Sequence, residues 1–142
     1  MGAVVRQTSI HHGGRAVKWL GDGVMLHFPN PGAGAVAALD MVDEIVGAGL
    51  PPAHVGLHAG PVIFQEGDYY GQTVNLASRI ADYAQAGEVI VSRSVVDACD
   101  GAAVEFRAWR ARHEVKAKTR GTKRIVNAVA GPMELYAAAR PA

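Results

Sequence analysis

Two hydrophobic periods alternate along the chain. From Ala33 to Ala48, Ala, Val, Leu and Ile recur at helical spacing and leave Asp40, Asp43 and Glu44 for a wet face, as in an amphipathic helix. Gly47 and Gly49 end that helix, and Pro51-Pro52 prevents its return. A second amphipathic helix is predicted over about Thr73–Ala86, stopped by Gly87. A looser helical spacing runs from Ala3 to His12 and halts at Gly13-Gly14.

Elsewhere the apolar runs are short. Ala16–Leu20 and Val24–Phe28 flank Gly21-Asp22-Gly23, which predicts two strands joined by a glycine-bracketed turn. Pro29-Asn30-Pro31 then breaks the chain. Val55–Glu66 reads as strand interrupted at Gly60-Pro61, and Glu66–Gly71 as a polar loop. Glu88–Ser92 reads as a buried strand followed by a short helix through Asp97. Val104–Trp109, Glu114–Lys118, Arg124–Val129 and Met133–Ala137 are further strand patterns. Helices alternating with strands, plus a hairpin, predict an α/β or α+β fold with a mixed sheet.

Composition narrows the class. At 142 residues, 49% hydrophobic and 19% charged, the chain is expected to form one ordinary globular domain, and disorder, collagen, coiled coil and disulfide-knit modules are excluded. Net charge is +1. Residues 104–142 carry nine Lys or Arg against three acids, and residues 1–103 carry five against ten. The basic charges alternate with apolar residues, as on a solvated strand face, so no nucleic-acid partner is expected. A single cysteine, Cys99, fits a reducing compartment. No apolar run approaches the length of a membrane span, and a cytoplasmic, soluble chain is expected.

Several residues could carry chemistry. Asp22, at the tip of a hairpin, suits a hard cation that holds phosphates; an Asp between glycines is also ordinary turn chemistry. Lys18 sits in the apolar strand before that turn, as a solvated residue or as a positioned donor. Asn75 and Arg79, four apart at the start of the second helix, share one face. An amide and a guanidinium together suit a sugar and a phosphate, although polar helix faces are common. Asp68 lies in the preceding loop beside Tyr69, Tyr70 and Gly71.

Together these residues match one pattern. VKWLGDGVMLHF (Val17–Phe28) resembles the hairpin of class III nucleotide cyclases, with its K-x-x-G-D-G motif. GLHAGPVIFQEGDYYGQTVNLASRIADYAQAGEVIVS (Gly56–Ser92) resembles the second signature of the same family. The resemblance runs from about Gly13 to Tyr136 and implies an α+β fold: a ferredoxin-like mixed sheet with helices packed on one face, cyclase- or palm-like. It implies a lyase that converts ATP to cyclic AMP and pyrophosphate in intracellular signalling, by attack of the 3′-hydroxyl on the α-phosphate. Lys18 and Asp68 would select the purine. Asn75 would orient the ribose, and Arg79 would stabilise the transition state. Asp22 would be one of two metal carboxylates for two divalent ions, Mg or Mn. Guanylyl members typically place an acid where Lys18 stands, so the Lys18–Asp68 pair favours ATP. Family members work as head-to-tail homodimers in which Asp22 of one protomer faces Lys18, Asp68, Asn75 and Arg79 of the other.

The chain departs from the family in two places. Residues 1–21 contain no Asp or Glu, so the first metal ligand is absent, together with the family's first strand and first helix. Residues 1–142 are thus expected to be a single cyclase homology domain, incomplete at its N-terminus. Near the end, Val126-Asn127-Ala128 stands where the family has a phosphate-reaching basic residue, for which Lys123 or Arg124 could substitute. The chain alone is therefore expected to be weakly active or inactive. A non-catalytic nucleotide-binding or dimerisation module is the alternative. A sheet without its central strand must be closed somehow, by pairing of Val4–Ile10 or by cover from a dimer partner. Trp19 and Trp109 are read as core, His11 and His12 as solvated, Cys99 as structural, and His54 and His58 as lacking the geometry of a zinc site.

Overall fold

A computed structural model describes residues 2–20, 23–99, 103–114 and 132–141. In chain order the elements are α1 (Gly2–His11), β1 (Arg15–Leu20), β2 (Gly23–His27), α2 (Pro31–Gly47), β3 (Val55–Leu57), β4 (Ile63–Gln65), β5 (Asp68–Tyr70), α3 (Gln72–Tyr83), β6 (Val89–Ser92), α4 (Arg93–Ala98), β7 (Glu105–Glu114) and β8 (Pro132–Ala139).

The main sheet has the order β3-β6-β8-β7. β3 runs parallel to β6, and the other two pairings are antiparallel, giving the mixed sheet of the expected α+β class. A parallel pair needs a crossover, which α3 supplies. That helix can lie close because β3 carries Gly56, where a Cβ would collide with the Ala81 backbone of α3.

The layering differs from the expectation of helices on one face. All four residues of β6 are buried, and they alternate between two apolar clusters. Ile90 packs with Ile80 and Ala84, Trp109 and Leu135. Val89 and Val91 pack with Ala38 of α2 and Val95 of α4. The helices therefore divide between the faces, because the central strand is apolar on both sides rather than on one.

A third cluster joins the N-terminal half: Val5 of α1 meets Ala37, Met41 and Ile45 of α2, with Val24, Leu26 and Phe28 alongside. The start of α2 is fixed by Asn30, whose Oδ1 accepts hydrogen bonds from Gly32 N at 2.9 Å and Ala33 N at 3.3 Å, with Pro31 in the first turn. Val4–Ile10 is thus helical and packed on α2. It does not pair into the sheet: Val5 is buried against α2 with Val4 alongside, while Ile10 is left 70% exposed.

Two small sheets stand apart from the main one. β1 and β2 form the expected antiparallel hairpin. The expected polar loop is instead largely a second hairpin, in which β5 pairs with β4. Glu66 and Gly67 have φ of 53° and 78°, the double left-handed turn that closes a two-residue hairpin. At the C-terminal end, β7 continues to Glu114 rather than stopping at Trp109. The strand expected at Arg124–Val129, and residues 115–118 of the one expected at Glu114–Lys118, lie outside the described residues. Among the described residues no helix is long and apolar enough to cross a membrane.

Candidate functional site

Lys18 lies on β1 just after an irregularity in the pairing between Ala16 and Lys18, the kind of local bulge that re-aims a side chain. Asp68 opens β5. The two come together: Lys18 Nζ donates to Asp68 Oδ2 at 2.8 Å. The other carboxylate oxygen, Oδ1, accepts from the backbone N–H of Tyr69 at 2.8 Å. The Lys18 hydrogen bond and charge, with the Tyr69 N–H, hold the Asp68 carboxyl below the usual carboxylate range against a smaller opposing effect of burial. At neutral pH the site therefore presents an ammonium donor beside a carboxylate acceptor. That pair is complementary to an acceptor next to an amino group on a base edge.

Gly71, with φ of 120°, turns the chain from β5 into α3, a conformation that a side chain would strain. α3 then carries Asn75, exposed, and Arg79, half-buried, one turn apart on one face. Arg79 Nε is buried with no hydrogen-bond acceptor among the described residues. A guanidinium left short of acceptors inside a folded chain costs stability, and it is poised to accept an anion. Asp22, between the end of β1 and the start of β2, lies outside the described residues, as do Lys123 and Arg124.

Among the described residues no group of three His, Cys, Asp or Glu side chains could hold a metal ion. His54 and His58 are engaged separately. His54 Nδ1 contacts Ala81 O at 2.8 Å, and His58 Nδ1 contacts Ser92 Oγ at 2.7 Å. Burial pushes the His58 imidazole below its usual pKa and pushes the Cys99 thiol up, which leaves Cys99 a poor nucleophile. A cavity of about 530 Å³ lies between the β3–β4 connection and the start of α3, lined by His58, Gly60, Pro61, Ile63, Tyr70 and Thr73 among others. None of Lys18, Asp68, Asn75 and Arg79 lines it.

Two minor expectations are corrected. Trp109 is core, but Trp19 is 41% exposed, lying under the Arg6 guanidinium at 5.1 Å because its strand belongs to a two-stranded sheet with little cover. His12 is not simply solvated: its Nε2 meets Asp40 Oδ2 at 2.7 Å. The pattern of the sequence gave no warning of a third feature. Arg15 Nη2 donates to Tyr69 OH at 2.8 Å, and His27 stacks on the Tyr69 ring with centroids 4.4 Å apart. These residues are far apart in the chain and carry no motif. The aromatic pair Tyr69-Tyr70 beside Asp68 was the only available signal.

The family model for the adenylate and guanylate cyclase catalytic domain matches residues 12–137, and the chain belongs to that family. An adenylate cyclase of Streptomyces coelicolor is 37% identical over 86 residues, covering 60% of this chain and 23% of that protein. An uncharacterized Mycobacterium bovis protein is 39% identical over 87 residues, again 60% of this chain and 23% of the other. The chain thus spans about a quarter of the length of these relatives. Among solved structures, an adenylate/guanylate cyclase/hydrolase from Silicibacter pomeroyi matches with a TM-score of 0.74 at 22% identity, over 96% of this chain and 78% of that one. That likeness shows a shared fold. The family uses divalent metal ions.

Proposed function

We propose that this chain forms the nucleotide-handling part of an adenylate cyclase, which converts ATP to cyclic AMP and pyrophosphate. The observation that carries the reading is the Lys18–Asp68 pair at 2.8 Å. Adenine offers a ring acceptor at N1, which the lysine satisfies, and an amino group at N6, which the carboxylate accepts. Guanine presents a ring N–H beside a carbonyl, which would leave a donor facing the Lys18 ammonium and a lone pair facing Asp68. Asn75 orients the ribose. Arg79, lacking an acceptor for its Nε, takes charge that develops on phosphorus as the 3′-hydroxyl attacks and pyrophosphate leaves.

Asp22 is the carboxylate that this chain offers to the two divalent ions, whose chemistry is to activate the hydroxyl and hold the triphosphate. A head-to-tail homodimer places Asp22 of one protomer against Lys18, Asp68, Asn75 and Arg79 of the other. The domain occupies residues 1–142 as one unit, and its proposed location is cytoplasmic. Residues 1–21 supply no acid, so the 142-residue chain is expected to yield little or no cyclic AMP from manganese-ATP. The second reading is a domain that binds nucleotide or dimerises without turnover. Robust cyclic AMP production abolished by Asp22→Ala would overturn the expectation of weak activity and reject the second reading.

Calorimetry with non-hydrolysable ATP and GTP analogues tests the purine assignment. Wild type is expected to prefer ATP, and Lys18→Glu is expected to weaken ATP binding on the order of tenfold and to gain on GTP. Equal affinities for both nucleotides in wild type would sink the assignment.

A further inference from the structure

The hairpin that carries Asp68 is small. β4 and β5 pair over three residue rows, and an isolated two-stranded hairpin is marginally stable in water. All three residues of β4 are exposed, Ile63 at 61% and Phe64 at 54% among them, so apolar burial does little to fix its place. No backbone ladder joins it to the β1–β2 hairpin, which is a separate two-stranded sheet. Yet Asp68 must stay within hydrogen-bond reach of Lys18 on that other hairpin if the pair is to read a base.

Besides the Lys18–Asp68 pair itself, the contacts that bridge the two hairpins centre on the Tyr69 ring. His27 of β2 stacks on Tyr69 at 4.4 Å with the planes 22° apart. Arg15 of β1 donates to the Tyr69 hydroxyl at 2.8 Å. The same guanidinium lies 5.6 Å from the Tyr69 ring centre and 5.4 Å from that of Phe64. Burial, and then the Arg15 charge, push the His27 imidazole below its usual pKa, so a neutral ring stacks there at neutral pH. Tyr69 is also mechanically tied to the carboxylate, because its backbone N–H donates to Asp68 Oδ1. Holding the ring therefore holds the carboxylate.

We propose that Arg15 and His27 are positioning residues for base selection. They grip the Tyr69 ring across the gap between the two hairpins and so fix Asp68 at reading distance from Lys18. The inference rests on the purine-selecting role given to that pair above. Releasing the clamp lets the acceptor drift from the donor, and a hydrogen bond stretched beyond about 3.5 Å no longer counts as one. The loss falls on recognition of the base, while Arg79 on α3 keeps its surroundings.

The experiment compares wild type, Lys18→Ala, Tyr69→Leu, Tyr69→Phe, Arg15→Met and the Arg15→Met/Tyr69→Phe double variant. Affinities for non-hydrolysable ATP and GTP analogues are measured by calorimetry, and backbone amide exchange is followed by NMR without nucleotide. Tyr69→Leu is expected to lose about tenfold in ATP affinity and most of the ATP-over-GTP preference. Tyr69→Phe and Arg15→Met should each lose less, and their double variant less than the product of the two, because they share one hydrogen bond. Exchange at the position-69 amide should quicken in Arg15→Met, with core amides of β6 unchanged. If Tyr69→Leu does not fold, the two milder variants and their double carry the test.

Lys18→Ala separates the two ideas. Weakened ATP binding in Lys18→Ala, with wild-type preference and exchange in the clamp variants, overturns the clamp and leaves the purine pair standing. Unchanged ATP binding in Lys18→Ala, or no binding by wild type, overturns the purine pair and the clamp with it. Equal loss of ATP and GTP affinity in the clamp variants also overturns the inference, since a merely structural role does not distinguish bases.

Discussion

Around Ile90 the chain is held by apolar burial from both faces of a sheet, with Ile80, Ile90 and Leu135 at 0–1% exposure. Around Tyr69 it is held by an ion pair, one hydrogen bond to a hydroxyl and a stacked imidazole, on two hairpins with no ladder between them. The first region forgives changes in polar side chains and punishes changes in volume. The second has little volume to lose, and its geometry hangs on a few directional contacts. Under the proposed function, stability and base selection fall in different parts of one small molecule. A site built on hairpins can be adjusted without disturbing the sheet that keeps the chain folded.

The widest consequence of that contrast is in the core. Ile90→Ala is expected to lower unfolding stability by about 2–5 kcal/mol, measured by urea denaturation, with the ATP-to-GTP preference of the folded fraction unchanged. A preference that shifted as much as it does in Lys18→Glu would erase the distinction between the regions.

Arg79 sits at the boundary and sharpens the comparison. Arg79→Met should cut turnover in a catalytically complete assembly on the order of 100-fold. It should also raise unfolding stability by up to about 1 kcal/mol, because the buried Nε that lacks an acceptor is removed. A variant that lost stability and kept turnover would show that Arg79 is a packing residue.

The smallest effect is on pH dependence. The folded-state pKa of His27 is lowered by burial and then by Arg15, and that of His58 by burial. In both cases the unfolded chain binds the proton more readily. Their contribution is complete above the unfolded value, about 6.5, and is lost as pH falls through the lowered folded values. Thermal melts should therefore show a fall below about pH 6.5, reduced in His58→Gln without change in nucleotide preference. In His27→Gln the same fall should shrink along with a loss of that preference. A His27→Gln protein of wild-type preference would remove His27 from the selecting region.

Much of this was legible in the chain. The two apolar runs that become β1 and β2 and the apolar spacing of Ala33–Ala48 are local signals, and local signals decide where elements begin and end; Asn30 reads only as part of a chain break, although it caps α2. The pairing of Lys18 with Asp68 followed from a family resemblance, not from spacing. β4 falls within the expected strand, whereas β5 falls in the expected polar loop because Asp68-Tyr69-Tyr70 has no alternation to announce a strand, although Glu66-Gly67 is a usable turn signal. The clamp of Arg15 and His27 on Tyr69 could not be read at all. Its members are 54 residues apart in the Arg15–Tyr69 bond, and nothing in either segment prefers the other.

The sequence by itself determined most of the elements and the mixed α+β class, because periodicity and turn chemistry act within a few positions. Only the tertiary structure decided that helices take both faces of the sheet, since that depends on the order in which buried strands pair. Only it decided that one arginine on α3 stands without an acceptor for its Nε. It also decided that Lys18 meets Asp68 and that Arg15 and His27 meet the Tyr69 ring, because contacts between distant segments arise from packing and leave no periodic trace in the chain.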